Sequence, residues 1–273
     1  MIKTEKKQKV YFTFINNTDV VKYLDDNAEK VQASEFYKRP AEDFTNYKTY
    51  NQAFEGLKYG DVNYNNVFLD TLKDANGDAD AVSYNFDVTG LFYDMGAVVM
   101  GTPENAFNIT NDGDGKKQIK IYIDIAFSAS IDNKYLLNRG VAIFNLLNTL
   151  ILKGYILDVN FVCNTHNRVI DKTYYFTFKL PENEINIPTI AHYTSPEFFR
   201  VINFVLLDIN GSDPAFCRGK NDIKQFTDGL YINAGYTPGG DVDRNAINAI
   251  KTPEKAKQYI IDLFNNYVTK IEK

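Results

Sequence analysis

The chain has 273 residues, a hydrophobic fraction of 44% and a formal net charge of -5. Those values support one large domain, or one domain with a smaller appendage, and argue against general binding to phosphate backbones. Neither of the two cysteines, Cys163 and Cys217, belongs to a CxxC pair, and nothing suggests a disulfide framework or a thiolate metal site.

The start, MIKTEKKQKV, is basic but is not followed by the apolar stretch of a signal peptide. No window approaches about 18 uninterrupted apolar residues, so the expectation is a cytoplasmic protein without a membrane span. Lys3 to Lys9 reads as a charged, frayed leader, and Val10 to Ile15 as a strand ended by Asn16-Asn17. Asp19 to Phe36 has mixed helical periodicity, broken at Arg39-Pro40 because proline turns its predecessor out of the helical region. Tyr50, Ala53, Phe54 and Leu57 recur at helical spacing, and Asn63 to Lys73 forms one more short amphipathic segment.

Asp74, Asn76, Asp78 and Asp80 then alternate in a loop that invites a calcium reading. An EF-hand loop needs glycine at its sixth position and glutamate at its twelfth, where Ala79 and Asn85 stand, so a solvated acidic turn is expected. From Ser83 to Pro103, glycines and a proline bracket a short apolar run at a spacing that fits no nucleotide-binding fingerprint. A buried strand or short helix is the first reading. The second is a contact surface with Met95 and Met100 as adaptable apolar groups.

The polar loop Asn111 to Lys117 marks an expected boundary between an amino-terminal α+β region, residues 1–110, and an α/β sandwich domain, residues 111–273. Ile119, Ile121, Ile123 and Ile125 alternate as a strand, Tyr135 to Leu152 has the helical period, and Tyr155 to Val162 is strand-like again. Period two, then 3.6, then two, with Gly154 at the helix stop, is a β-α-β unit. The predicted class is α/β: a three-layer sandwich on a mostly parallel sheet. Small polar residues after the first of these strands fall where open α/β sheets place their sites.

Further along, Asn164 to Lys172 is an expected polar turn, Tyr174 to Leu180 a strand, and Glu182 to His192 a loop. Cys163 and His166 could be nucleophile and base, but no signal supplies the orienting third group or an oxyanion donor pair. The plainer alternative is a cysteine facing the core. Ser195-Pro196-Glu197 and Thr252-Pro253-Glu254 both read as helix starts. Leu230 to Gly235 reads as another strand, and Gly239 to Asp243 as an acidic loop.

Arg139-Gly140 stands near the start of the long helix, where glycine costs about 0.8–1 kcal/mol relative to alanine. Close packing of the helix, or room for a ligand or partner, would explain it. Arg139 is open to pairing with Asp124 or Asp132, or to presenting its fork to an anion.

The run of strand, Asp124-Ile-Ala-Phe-Ser-Ala-Ser130, glycine-terminated helix, second strand and hairpin-like third strand resembles the von Willebrand factor A-type fold. In that family an Asp-x-Ser-x-Ser motif, helped by later loops, holds a divalent metal. Here Asp124 matches the aspartate, Ala126 takes the first serine position and Ser128 the second. A shifted register uses Ser128 and Ser130 and leaves Ala126 where the aspartate should be. The resemblance therefore implies a degenerate site of Asp124, Ser128 and Ser130, with magnesium as the ion and Asp208, Asp213 or Asp241 as completing acids.

Asp87-Val-Thr-Gly90, Gly101-Thr-Pro-Glu104, Ser128-Ala-Ser130 and Asn138-Arg-Gly140 also resemble a family of uncharacterised tailed-bacteriophage proteins. That resemblance implies a phage-encoded protein in the host cytoplasm. The leading expectation for function is a non-enzymatic interaction or scaffold protein that binds another phage or host protein through its α/β domain. The first alternative is nucleic-acid association, with Lys6, Lys7 and Lys9 meeting phosphates while Tyr11 stacks on bases. The second is a metal-dependent binding or hydrolytic site at Asp124.

Overall fold

The computed structural model describes residues 1–38, 49–59, 66–71, 86–87, 92–93, 106–107, 118–127, 131–167, 169–180, 185–212, 228–234 and 243–271. The strands are β1 (Ile2–Lys6), β2 (Lys9–Phe14), three two-residue strands β3 (Phe86–Asp87), β4 (Phe92–Tyr93) and β5 (Ala106–Phe107), then β6 (Gln118–Asp124), β7 (Ile156–Asn167), β8 (Lys172–Leu180) and β9 (Leu230–Ile232). The helices include α1 (Asn17–Asp26), α2 (Ala28–Ala33), α3 (Glu35–Lys38), α4 (Tyr50–Tyr59), α5 (Asn133–Leu152), α6 (Ile187–Thr194), a π-helical segment Phe198–Asn203 running into α7 (Phe204–Ile209), α8 (Arg244–Ala249) and α9 (Pro253–Ile271).

Six strands form one sheet in the order β1-β2-β8-β7-β6-β9, and β3-β5-β4 form a small second one. In the large sheet β2–β8, β6–β7 and β6–β9 are parallel, while β1–β2 and β7–β8 are antiparallel. The architecture is therefore mixed α/β on a mostly parallel sheet, as the alternation of periods predicts. Strands from both sides of residue 110 share the large sheet, because β2 pairs with β8.

Alternation gives this sheet two chemically different faces. Val10, Phe12 and Phe14 share one face with Phe176, Phe178, Phe161 and Ile123, and all of these are buried. Stacked rings run across β2 and β8, with Phe12 on Phe176 at 4.8 Å and Phe14 on Phe178 at 5.2 Å. Tyr23 of α1, Tyr193 of α6 and Phe198 of the π-helical segment close over them. The opposite face pairs Tyr122 with Asn160, Asn164 with Tyr175, and Tyr122 with Tyr231, which is a polar and aromatic set.

The central β6-α5-β7 unit follows its sequence closely. Asp132 caps α5 by accepting from the Lys134 amide. At the other end Gly154 takes φ 80°, its amide bonds Ile151 O, and the Tyr155 amide bonds Leu150 O. Those two bonds form a Schellman stop, which only a residue tolerant of positive φ completes without strain. By length and composition α5 could cross a membrane, but 67% of its most apolar window is buried inside the fold.

Three local expectations are corrected. Lys3 to Lys9 is not a frayed leader: β1 is built there, because β2 supplies a ladder that outweighs the weak strand propensity of lysine and glutamate. The segment expected as a loop before His192 contains α6, capped by Asn186 accepting from the Thr189 amide, with Pro188 in its first turn. The polar stretch Asn164 to Lys172 is mostly strand, since β7 and β8 stay in register to Asn167 and Lys172.

Candidate functional site

Asp124 is the last residue of β6, and β9 lies beside it in parallel. Strand ends of this kind are where an α/β sheet gathers loops and helix starts. Asp124 Oδ1 accepts from the Ala126 amide at 2.8 Å, and Oδ2 accepts from the Tyr231 hydroxyl at 2.7 Å. Burial pushes its carboxyl up to about 6, against the Tyr231 and Ala126 hydrogen bonds and the nearby positive charge of Arg139, all of which favour the ionised form. Burial, together with the facing Asp124 charge, also raises the Tyr231 phenol, which therefore acts as a donor.

Arg139 is 2% exposed, in the second turn of α5. Its Nη2 donates to the carbonyls of Asp124, at 2.7 Å, and Ile232, at 3.2 Å, while Nε donates to Asn233 O at 3.1 Å. Burial lowers the guanidinium from its ordinary value, but the adjoining Asp124 charge opposes that shift. Of the partners open to Arg139, the structure gives it main-chain oxygens at the ends of β6 and β9. One planar fork thus ties a helix to two strand ends. Tyr259 of α9 reaches the same spot with its hydroxyl 3.5 Å from Asn233 Oδ1.

Gly140 follows at the contact of α5 with α6. A Cβ there would stand 2.5 Å from Thr194 Oγ1 and 3.1 Å from Phe68 Cε2. Close approach of two helices, rather than room for a ligand, accounts for this glycine. Arg139 and Gly140 are consequently interior positions, and the expectation that they touch a partner gives way to a structural role for both.

A cation at Asp124 would have to displace the Tyr231 hydroxyl and sit beside a guanidinium, so the described residues do not fit a divalent site as they stand. Among the described residues no group of three or more His, Cys, Asp or Glu could hold a metal ion. Asp208 accepts from Ser34 Oγ. Ser128, Ser130, Met95, Met100, Asp213, Asp241 and the acidic loop 74–80 lie outside the described residues.

Cys163 and His166 are an odd number of residues apart on β7, so they point to opposite faces. Asn203 Nδ2 donates to Cys163 Sγ at 3.3 Å, while His166 Nδ1 lies 3.0 Å from Thr173 Oγ1. The two do not form a nucleophile and base. Among the basic and aromatic residues of the amino terminus, Lys9 sits over the Tyr175 ring and Tyr11 stacks on that ring at 4.9 Å. Lys6 ends β1, and Lys7 takes φ 56° in the turn.

The exposed apolar groups include Val169, 93% exposed, and Ile170, 50% exposed, at the tip of the β7–β8 hairpin. Their amides both donate to Asn167 Oδ1, and Asn167 Nδ2 donates to Gly211 O. Gln8 Nε2 holds Asp171 at 2.7 Å from the neighbouring turn. The tip is presented on a braced turn. Sequence reasoning missed it because Val169 and Ile170 fall within Asn164 to Lys172, read as a polar turn, and only the pairing of β7 with β8 sets them at a hairpin tip. Tyr231 and Asn233 were missed because their role depends on the pairing of β9 with β6, a contact across more than a hundred residues.

The buried carboxyl has a measurable consequence. Its folded value, about 6, exceeds the unfolded value of 3.8. The native state therefore binds the extra proton between them, so this contribution to stability is complete below the unfolded value and is lost as pH rises through about 6. Two pH units correspond to about 3 kcal/mol. The expected outcome is a wild-type stability that falls by about 2 kcal/mol of this from pH 4 to 7 relative to Asp124→Asn, measured by urea unfolding of both. Parallel pH profiles for the two proteins would contradict it.

A family model described as Domain of unknown function (DUF7192) matches residues 3–262. No curated protein and no solved structure matches the chain.

Proposed function

We propose, for a chain that belongs to the DUF7192 family, a non-enzymatic interaction role in which the α/β domain binds another protein. The carrying observation is that, among the described residues, the charged groups Asp124 and Arg139 at the strand ends are engaged internally. Asp124 holds an amide and a phenol, and Arg139 holds three carbonyls, which leaves neither to meet a substrate. A working acid, base or nucleophile must be able to reach the reacting atom.

The braced apolar tip of Val169 and Ile170 is the contact point in this proposal. Large exposed apolar groups on a fixed turn suit insertion into a partner's pocket, and preorganisation lowers the ordering cost of binding. The von Willebrand factor A-like, three-layer form of the fold belongs to the same proposal. Its support is the order of β6, α5, parallel β7 and antiparallel β8. So does phage origin with action in the host cytoplasm, supported by the motif resemblance alone.

The test compares the wild-type chain with Val169→Asp/Ile170→Asp as baits in lysate of phage-infected bacteria, at near-physiological salt. A partner kept by the wild type and reduced at least about tenfold on the variant is expected. Equal recovery on both baits, or none on either, would remove the tip from the proposal.

A further inference from the structure

We propose that the outer edge of β1 pairs antiparallel with β1 of a second copy of this chain, about a two-fold axis through Thr4. The proposal is independent of the partner reading at the β7–β8 tip.

Gln8 O accepts from the Thr173 amide of the β8 side at 2.8 Å. Backbone groups alternate along a strand, so Val10, Phe12 and Phe14 face β8, while Lys9, Tyr11 and Thr13 face β1. In the observed register those three oppose Lys6, Thr4 and Ile2. The amides and carbonyls of Lys3 and Glu5 therefore point away from the sheet. All five residues of β1 are exposed, and β1 ends the sheet order. An edge of this kind is a template for another strand unless something guards it.

Lysine is a usual guard, and β1 has Lys3 and Lys6. The charge order along Ile2-Lys-Thr-Glu-Lys6 nonetheless favours one pairing with itself. With Thr4 opposite Thr4 of the second copy, Lys3 faces Glu5 and Glu5 faces Lys3. The outward amides and carbonyls of those same residues then meet, giving four main-chain hydrogen bonds and two crossed ion pairs. Slipping the register by two residues sets Lys3 against Lys3 or Glu5 against Glu5, and like charges directly opposite are unfavourable. A slip by one misaligns the outward groups and exchanges the faces. The Lys172 ammonium, already 2.6 Å from Glu5 Oε1, would flank each new pair. Backbone pattern and side-chain charge thus select the same register. The product would be a continuous sheet through two subunits.

The measurement is sedimentation equilibrium of the full chain without an amino-terminal tag, at about 50 and about 500 mM salt. A dimer that weakens with salt is expected for the wild type. Lys3→Glu and Glu5→Lys should each weaken it at least about tenfold, a loss of one ion-pair register in both halves. An equimolar mixture of the two variants should regain the dimer. In the mixed pair the introduced glutamate faces the introduced lysine, and the native Glu5 of one chain faces the native Lys3 of the other. Circular dichroism of each variant checks that β1 changes have not unfolded the chain. A wild type that stays monomeric, or a mixture of folded variants that does, overturns the proposal. So does a monomer that takes up a foreign extended peptide along β1, since that assigns the edge to another partner.

Discussion

Replacing Arg139 by alanine is expected to lower the unfolding free energy by about 3–5 kcal/mol, the range for removing one member of a buried charged set. The cause is local. Three strand-end carbonyls lose their donor, and the Asp124 carboxylate keeps its burial while losing its nearest positive charge. Arg139→Lys restores a charge but not the fork, so it should recover only part of the loss. Arg139→Met keeps much of the stem and separates packing from hydrogen bonding. Urea unfolding at pH 7 reads all three. A loss below about 1 kcal/mol for the alanine variant, the range of an ordinary surface change, would mean that water replaces the guanidinium freely.

The second large effect is expected at Gly140. Gly140→Leu forces a side chain into the contact with Thr194 and Phe68, at or beyond the upper end of the about 1–3 kcal/mol typical of overpacking. Gly140→Ala is the gentler case, because about 1 kcal/mol of helix propensity offsets part of the clash. Thr194 cannot swing away without cost, since its hydroxyl donates to Ile190 O at 2.8 Å. Thr194→Ala should therefore relieve Gly140→Ala, giving a coupling of at least about 0.5 kcal/mol in a double-mutant cycle. Additive changes would show that the two helices move apart freely.

These two neighbours also show how far the sequence could be read. The glycine was conspicuous because a long helix tolerates one only for a reason, and close packing was among the reasons named. Its partner, Thr194, belongs to a stretch where the sequence suggested a loop giving way to a helix start, so the helix it packs on went unseen. Arg139 was conspicuous for the same reason of place. Its choice among Asp124, Asp132 and an anion depended on which strand ends came near it: the end of β6 is close in sequence, but the end of β9 is more than ninety residues away. The carboxylate of Asp124 matched a metal-binding pattern by spacing, while the hydroxyl that occupies it comes from Tyr231.

The sequence by itself determined the order and type of the β6-α5-β7 unit, although β7 runs on to Asn167, beyond the expected Val162. Alternating isoleucines, an apolar helical stripe and a glycine stop are all local signals, and each acts within a few residues. It also determined that β2 and β8 are strands, through their alternating aromatic residues. Only the tertiary structure decided that these two strands lie side by side, and that residues 2–6, three of them charged, pair with β2 as an edge strand. It alone decided which polar groups are buried together at the strand ends. The physical reason is that strand pairing and charge burial are set by partners distant in the chain, whereas period, cap and stop are set by neighbours.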